Sequence, residues 1–282
     1  MVILHSAGQM CNKIVFFVNA LATALDCHVN VIHLFAKEIM EFSDLRPDVI
    51  QEIKVRCFNR PSSRLLYVFF AFLYKFPYFQ SKYYDSNAQR CEKWRVRRIK
   101  LPIVLWNWYF RNPEACDRHH DIICAYLHAK EEFCKRPRSL IEGFRRQGDI
   151  IVGVHIRRGD YKSWRHGNYY FDDSTYCRFM QDFLSDSGCS ERVKFVLVSN
   201  ETVDTHFFEE AGLRILNASG LPQEDVIALS MCDFIMGPTS TFSWWAAYYG
   251  DKPLLHLTSA KDVVACSKFA KSRWFKSSFS DI

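Results

Sequence analysis

The 282-residue chain contains no Cys-x-x-Cys, no Asp-x-Asp and no apolar run long enough to cross a bilayer. Its eleven cysteines are odd in number and scattered, which argues against a disulfide framework and against a zinc ribbon. Reduced thiols in the cytoplasm are the expectation. The opening MVILHSAGQM has neither a charged n-region nor an apolar h-region, so no secretion signal is expected. The longest greasy stretch, residues 65–76, includes Lys75 and stops short of the ~20 residues a span requires. It reads as a buried helix, with docking on a membrane surface as the other option. The missing Asp-x-Asp removes a common way of holding a divalent ion against a diphosphate, so no metal is expected. No repeat, low-complexity tract, helix-turn-helix or RNA-binding signature is visible, and no nucleic-acid partner is expected.

What is present is a globular composition, 49% hydrophobic and 24% charged, in a chain long enough for two domains. The formal net charge of +6 is concentrated. Residues 90–100 (RCEKWRVRRIK) hold Arg90, Lys93, Arg95, Arg97, Arg98 and Lys100 against Glu92 alone. Such a run is a solvated helix face, or a patch that attracts an anionic substrate or the inner face of a cell membrane. No sequence feature sets the oligomeric state.

Along the chain, a strand at residues 2–5, a turn through Gly8, a helix at about 14–25 and a strand at 29–34 make a strand-loop-helix-strand unit. The middle, 44–148, is rich in aromatics, arginine and helical periodicity. One helix is expected over 112–133, with Asn112 as N-cap and Pro113 in its first turn. A linker at 145–149 (RRQGD) separates an N-terminal domain, 1–148, from a C-terminal domain, 149–282. In the second half, strands at 150–156, 193–199, 234–237 and 254–257 alternate with helices at 173–184, 201–211, 223–231 and 241–249. That alternation is the pattern of a doubly wound parallel sheet.

The most informative segment is VGVHIRRGDY, 152–161: a core strand that ends by delivering Arg157, Arg158 and Asp160 into a loop. Ligands of open α/β sheets collect outside the carboxyl ends of strands, and a guanidinium fork binds phosphate oxygens bidentately. Asp160 pairs with an arginine or braces the loop. The second segment is GPTSTFSWW, 237–245, where a strand ends in Gly-Pro and hydroxyls open a helix. Those hydroxyls cap the helix or, with its free N–H groups and dipole, hold phosphate. Asn200 and Glu201 follow a third strand, as a plain helix cap or as contacts to a base or ribose. Cys116, His120, Cys124 and His128 recur every four residues over about 18 Å of helix, too far for all four to share an ion.

Together, HIRRGDY at 155–161, GPTSTFSWWAAYYG at 237–250 and GQMCNK at 8–13 resemble the bacterial α-1,2-fucosyltransferase family. The first is similar to its His-x-Arg-Arg-x-Asp-Tyr signature and the second to its late Ser-Thr-Phe-Ser segment; Trp108-Tyr109-Phe110-Arg111 sits where relatives have an aromatic stretch. The first loop departs from the pattern, with Cys11-Asn12-Lys13 where relatives carry a second glycine and Asn-Gln or Asn-Arg. The resemblance implies an α/β fold of the GT-B type, two Rossmann-like domains facing a cleft with extra helices in the N-terminal half: 1–148 on the acceptor side and 149–282 binding the GDP-sugar, with the last helix free to return to the first domain. It also implies an inverting, metal-independent transferase moving L-fucose from GDP-β-L-fucose to an oligosaccharide or lipid-linked glycan, at galactose 2-OH. Arg157 would neutralise the leaving diphosphate. Arg158 would assist it or pair with Asp160. His155, Asn200, Ser240, Thr241, Phe242, Gly8 and Asn12 would line the donor site. Asp160, His166 and Asp172 are candidates for the general base, with Asp160 chosen. Another GDP-sugar as donor, or a non-catalytic nucleotide- or polyanion-binding protein of the same fold, are the alternatives.

Overall fold

The computed structural model describes residues 1–5, 8–59, 64–76, 104–106 and 110–271, which form two compact units that divide after Lys130. The first contains strands β1 (Val2–His5), β2 (Val31–His33), β3 (Ser43–Leu45), β4 (Val55–Cys57), β5 (Val104–Trp106) and β6 (Leu127–Ala129). Its helices are α1 (Met10–Asp26), α2 (Lys37–Phe42), α3 (Arg64–Tyr74), α4 (Pro113–Arg118) and α5 (His120–Tyr126). Four strands make a parallel sheet in the order β4-β2-β1-β5. The central strand β1 is apolar at Val2, Ile3 and Leu4, as burial on both faces demands.

Helix α1 is buried almost all round, including Asn19 and Thr23. These two side chains are satisfied locally and then used. Asn19 donates to the Val15 carbonyl at 2.7 Å and accepts from the Asn112 N–H at 2.7 Å, while the Thr23 hydroxyl accepts from the Asn112 amide at 3.0 Å. Asn112 in turn caps α4 by accepting from the Ala115 N–H at 3.2 Å, with Pro113 as its first residue. The single helix expected over 112–133 does not form beyond that start. It breaks at His119 and again at Leu127, where β6 pairs antiparallel with β3. A helical period says nothing about a strand partner some eighty positions away (Ser43 bonds the Leu127 carbonyl, 84 residues on).

The second unit contains β7 (Ile150–Ile156), β8 (Val193–Ser199), β9 (Ile215–Asn217), β10 (Phe234–Pro238) and β11 (Leu254–Leu257). Its helices are α6 (Glu131–Phe144), α7 (Asp173–Ser187), α8 (Thr205–Glu210), α9 (Pro222–Ser230) and α10 (Thr241–Gly250). The sheet is parallel throughout, in the order β11-β10-β7-β8-β9. Along β7, Val152, Val154 and Ile156 pack with Tyr176, Phe179, Met180 and Phe183 of α7. Gly153 points the other way, where an added Cβ would lie 2.8 Å from Leu229 of α9. Helices thus cover both faces of a near-continuous apolar strand.

The second unit begins at Glu131 rather than at residue 149. Helix α6 is tied into it by Arg136, which donates to the Ala218 and Ser219 carbonyls at 3.0 and 3.1 Å. The stretch expected as a linker is likewise anchored. Arg145 forms two hydrogen bonds to the Asp233 carboxylate, 3.1 and 2.9 Å, and Asp149 pairs with Lys194 at 2.8 Å. The basic run at 90–100, Trp108, Tyr109 and the last helix lie outside the described residues.

Candidate functional site at the carboxyl edge of the second sheet

The chain runs from β7 to β8 and β9 on one side, then returns to β10 and β11 on the other. The switch point therefore lies between the carboxyl ends of β7 and β10, where the loops diverge and leave a crevice. The segments that follow these two ends are the arginine loop and the hydroxyl-rich turn into α10.

Arg157 is the first residue beyond β7. Its Nε and Nη2 donate to the two carboxylate oxygens of Asp160 at 2.9 and 3.1 Å, and its guanidinium lies 5.7 Å from the centre of the Tyr161 ring. The side chain of Arg157 is 20% exposed and that of Asp160 59%, so this pair faces solvent. Arg158 turns inward. It is buried, donates from Nε to the Phe171 carbonyl at 2.9 Å and from Nη2 to Asp173 at 2.5 Å, and sits 5.7 Å from the Tyr176 ring. The arginine that Asp160 holds is thus Arg157; Arg158 pairs with Asp173.

The loop backbone is braced from β8. Asn200 accepts from the Arg158 N–H at 3.2 Å and Glu201 from the Gly159 N–H at 2.8 Å. Neither residue caps a helix, because α8 starts only at Thr205 with Asp204 as its cap. Tyr161 donates its hydroxyl to the Thr239 carbonyl at 2.9 Å and so fastens the arginine loop to the end of β10. Burial raises the Tyr161 pKa, which keeps that hydroxyl a donor.

On the β10 side, the Ser240 hydroxyl accepts from the Phe242 N–H at 3.1 Å and caps α10, leaving Thr241 and Phe242 partly exposed. The Phe242 ring lies 4.9 Å from His155, inclined by 31°. His155 is buried beneath it, and burial, then the charges of Arg157 and His256, lower its pKa to about 3. The imidazole is therefore neutral at physiological pH. Gly237 permits this packing, since a Cβ there would fall 2.8 Å from both Cβ and the carbonyl oxygen of His155. Of the other base candidates, Asp172 accepts from the Thr175 N–H and the Ser174 hydroxyl, both at 2.9 Å, as cap of α7, and His166 is an exposed residue in a left-handed conformation at φ 59°.

His155, Arg157, Arg158, Asp160, Asn200, Ser240, Thr241 and Phe242 thus share one sheet edge. Gly8 and Asn12 belong to the first unit. There Gly8 adopts φ +87°, and the Asn12 amide fills the space a Cβ would need, so only glycine fits that turn. Sequence reasoning did not single out Tyr161, Tyr176 or Asp173. The tyrosine closing HIRRGDY and the Asp172-Asp173 pair ahead of a helix were the available signals. Among the described residues no three His, Cys, Asp or Glu side chains converge as a metal site; His120 contacts Asp121 at 2.7 Å and Cys124 at 3.5 Å.

The structure is similar to those of three fucosyltransferases. An Arabidopsis thaliana FUT1 variant in complex with GDP gives a TM-score of 0.63 at 11% identity, over 97% of this chain and 74% of that one. Fucosyltransferase NodZ from Bradyrhizobium gives 0.57 at 13%, over 93% and 97%. POFUT1 in complex with GDP-fucose gives 0.52 at 12%, over 89% and 95%. These likenesses establish the α/β fold of the GT-B type. No curated protein matches the sequence. The family model described as glycosyl transferase family 11 matches residues 71–271, a span that takes in the whole carboxyl edge of the second sheet, and the chain belongs to that family.

Proposed function

We propose that the protein is an inverting, metal-independent fucosyltransferase that moves L-fucose from GDP-β-L-fucose to the 2-OH of a galactose in an oligosaccharide or lipid-linked glycan. The observation that carries this reading is the pairing, across the switch point, of an arginine fork after β7 with a capped helix N-terminus after β10. Both are anion-binding devices, and a diphosphate occupies two of them. The complexes of related folds with GDP and GDP-fucose support the choice of nucleotide.

In the reaction, the acceptor oxygen bonds to C1 of fucose as the bond from C1 to the β-phosphate oxygen breaks, and GDP departs with its negative charge. Arg157 supplies the countercharge by exchanging the Asp160 carboxylate for phosphate oxygens, an exchange that its solvent-facing pair permits. Asp160, relieved of its cation, then receives the acceptor proton. Ser240 and Thr241 present hydroxyls to the diphosphate and Phe242 flanks the nucleoside, with neutral His155 lining the pocket behind it. Arg158 and Asn200 hold the loop that carries Arg157. The proposed setting is cytoplasmic, where the cysteines stay reduced.

Incubating the protein with GDP-fucose and an array of terminal galactosides, and determining the product linkage by NMR, tests the reading. A parallel panel of GDP-sugars tests the donor. An α-1,2 fucoside is expected; neither transfer nor hydrolysis, together with no GDP binding by calorimetry, would falsify it, and a different linkage would overturn the acceptor assignment alone.

A further inference from the structure

Among the described residues, nine large apolar side chains are exposed, and five of them lie between residues 65 and 76. Leu65 is 80% exposed, Val68, Phe69 and Phe72 each 54%, and Phe76 45%. The other four, Ile122, Phe207, Leu221 and Val263, stand singly. At 3.6 residues per turn, Leu65, Val68, Phe69 and Phe72 fall within an arc of about 100° on α3, so they form one continuous stripe. The opposite side of the helix already has its partner. Phe70, with Leu66, Tyr67, Ala71, Leu73 and Tyr74, packs on the cluster of Val2, Leu4, Leu34 and Val104. The stripe is therefore a second apolar face on a helix whose first face is used, and Phe72 and Phe76 extend it through an edge-on ring contact at 5.2 Å.

Charge decides what fits it. Between residues 64 and 76 the charged residues are Arg64 and Lys75, with no acid. Arg64 opens the helix and Lys75 follows its last residue, both exposed. A twofold pairing of this face with itself would set these like charges against one another. An acidic, apolar surface matches both features. With 11 residues the helix is about 16 Å long, half of what a span needs, so the face can lie on a bilayer and not cross it.

We propose that the exposed face of α3 docks the first unit on an anionic lipid bilayer, with Leu65, Phe69 and Phe72 entering the headgroup boundary and Arg64 and Lys75 meeting lipid charge. The docking is independent of the sugar transferred. Flotation of the full chain with vesicles tests it without any donor present. Binding is expected to vesicles of phosphatidylglycerol and phosphatidylcholine in equal parts, and to be at least about tenfold weaker with phosphatidylcholine alone. Leu65→Ser, Phe69→Ser and Phe72→Ser combined should weaken binding at least about tenfold while the circular-dichroism melt is retained, because these side chains are exposed. Arg64→Glu with Lys75→Glu should cost about fivefold per cation removed, and more on reversal. The Phe72→Trp variant, which keeps the apolar face, should show a blue-shifted emission on the anionic vesicles. Absence of flotation on anionic vesicles, or flotation untouched by the triple substitution, overturns the proposal. So does a dimer in sedimentation that the triple substitution dissociates, which gives the face to a second copy. Failure to transfer fucose leaves the docking standing, and failure to float leaves the transferase reading standing.

Discussion

Arg157 and Asp160 meet through two parallel hydrogen bonds, 2.9 and 3.1 Å, three residues apart on the loop after β7. The neighbouring Arg158, itself buried, pairs with the half-buried Asp173. Two adjacent arginines of one motif therefore have different environments: one fork faces solvent and can exchange its carboxylate for a phosphate, the other is fixed in the scaffold.

Arg157→Ala should lower kcat about 10²- to 10³-fold, the effect of removing one charge-stabilising donor from a transition state. Arg157→Lys should recover part of this, since the charge remains and the bidentate geometry does not. Thermal melting should move little, because a solvent-facing ion pair contributes about 0–1 kcal/mol. Steady-state kinetics with GDP-fucose beside a melting curve gives both numbers; a loss below tenfold would remove Arg157 from the leaving-group role.

Arg158→Ala should act in the opposite sense, on stability first. It leaves the Phe171 carbonyl without its side-chain donor and Asp173 without its cation, at a cost of about 2–4 kcal/mol. The lower part of that range is favoured because Asp173 keeps a third of its exposure. Urea unfolding measures this directly, and a midpoint equal to that of the unsubstituted protein would contradict the scaffold role.

The second unit was more legible in the sequence than the first, for a physical reason. Strand 193–199 is buried at every position and strand 150–156 at all but its first, so both appear as mostly apolar runs, interrupted by Lys194 and His155. In the first unit, β4 and β5 have three residues each and β3 pairs with β6 only because distant segments meet, so no local pattern announces them. Within the site, residue type and position after a strand located Arg157, Arg158 and Ser240. Which arginine takes Asp160 depends on where Phe171 and Asp173 return to the loop, a tertiary fact with no sequence periodicity. Asn200 followed a strand as expected, but its amide braces a backbone N–H instead of capping a helix.

Acid should destabilise the protein well above the carboxylate range. Burial holds the pKa of His33 and His155 at about 3 and that of His256 at about 4, against the ordinary histidine value of 6.5. Between these values and 6.5 the unfolded chain binds more protons, so stability rises with pH through that window and is lost as pH falls below 6.5. Asp225, raised to about 6 by burial, opposes one histidine between 3.8 and 6. His155→Gln removes one of the three, and its stability should depend on pH less steeply between about 4 and 6, by up to about 1.4 kcal/mol per pH unit. Parallel slopes for the two proteins in chemical denaturation would show that His155 is not the buried neutral imidazole described.

Tyr161→Phe separates the joining of the two strand-end loops from the chemistry they carry. The substitution keeps the ring under Arg157 and removes only the hydroxyl given to the Thr239 carbonyl, in a buried setting where such a loss costs about 1–3 kcal/mol. If that hydrogen bond sets the spacing between the arginine fork and the N-terminus of α10, the diphosphate meets both anion sites less well. KM for GDP-fucose and the Kd for GDP should then rise several-fold while kcat changes less, because Arg157 itself is intact. A fall in kcat with unchanged GDP affinity would place Tyr161 with the reacting atoms and not with the spacing of the loops.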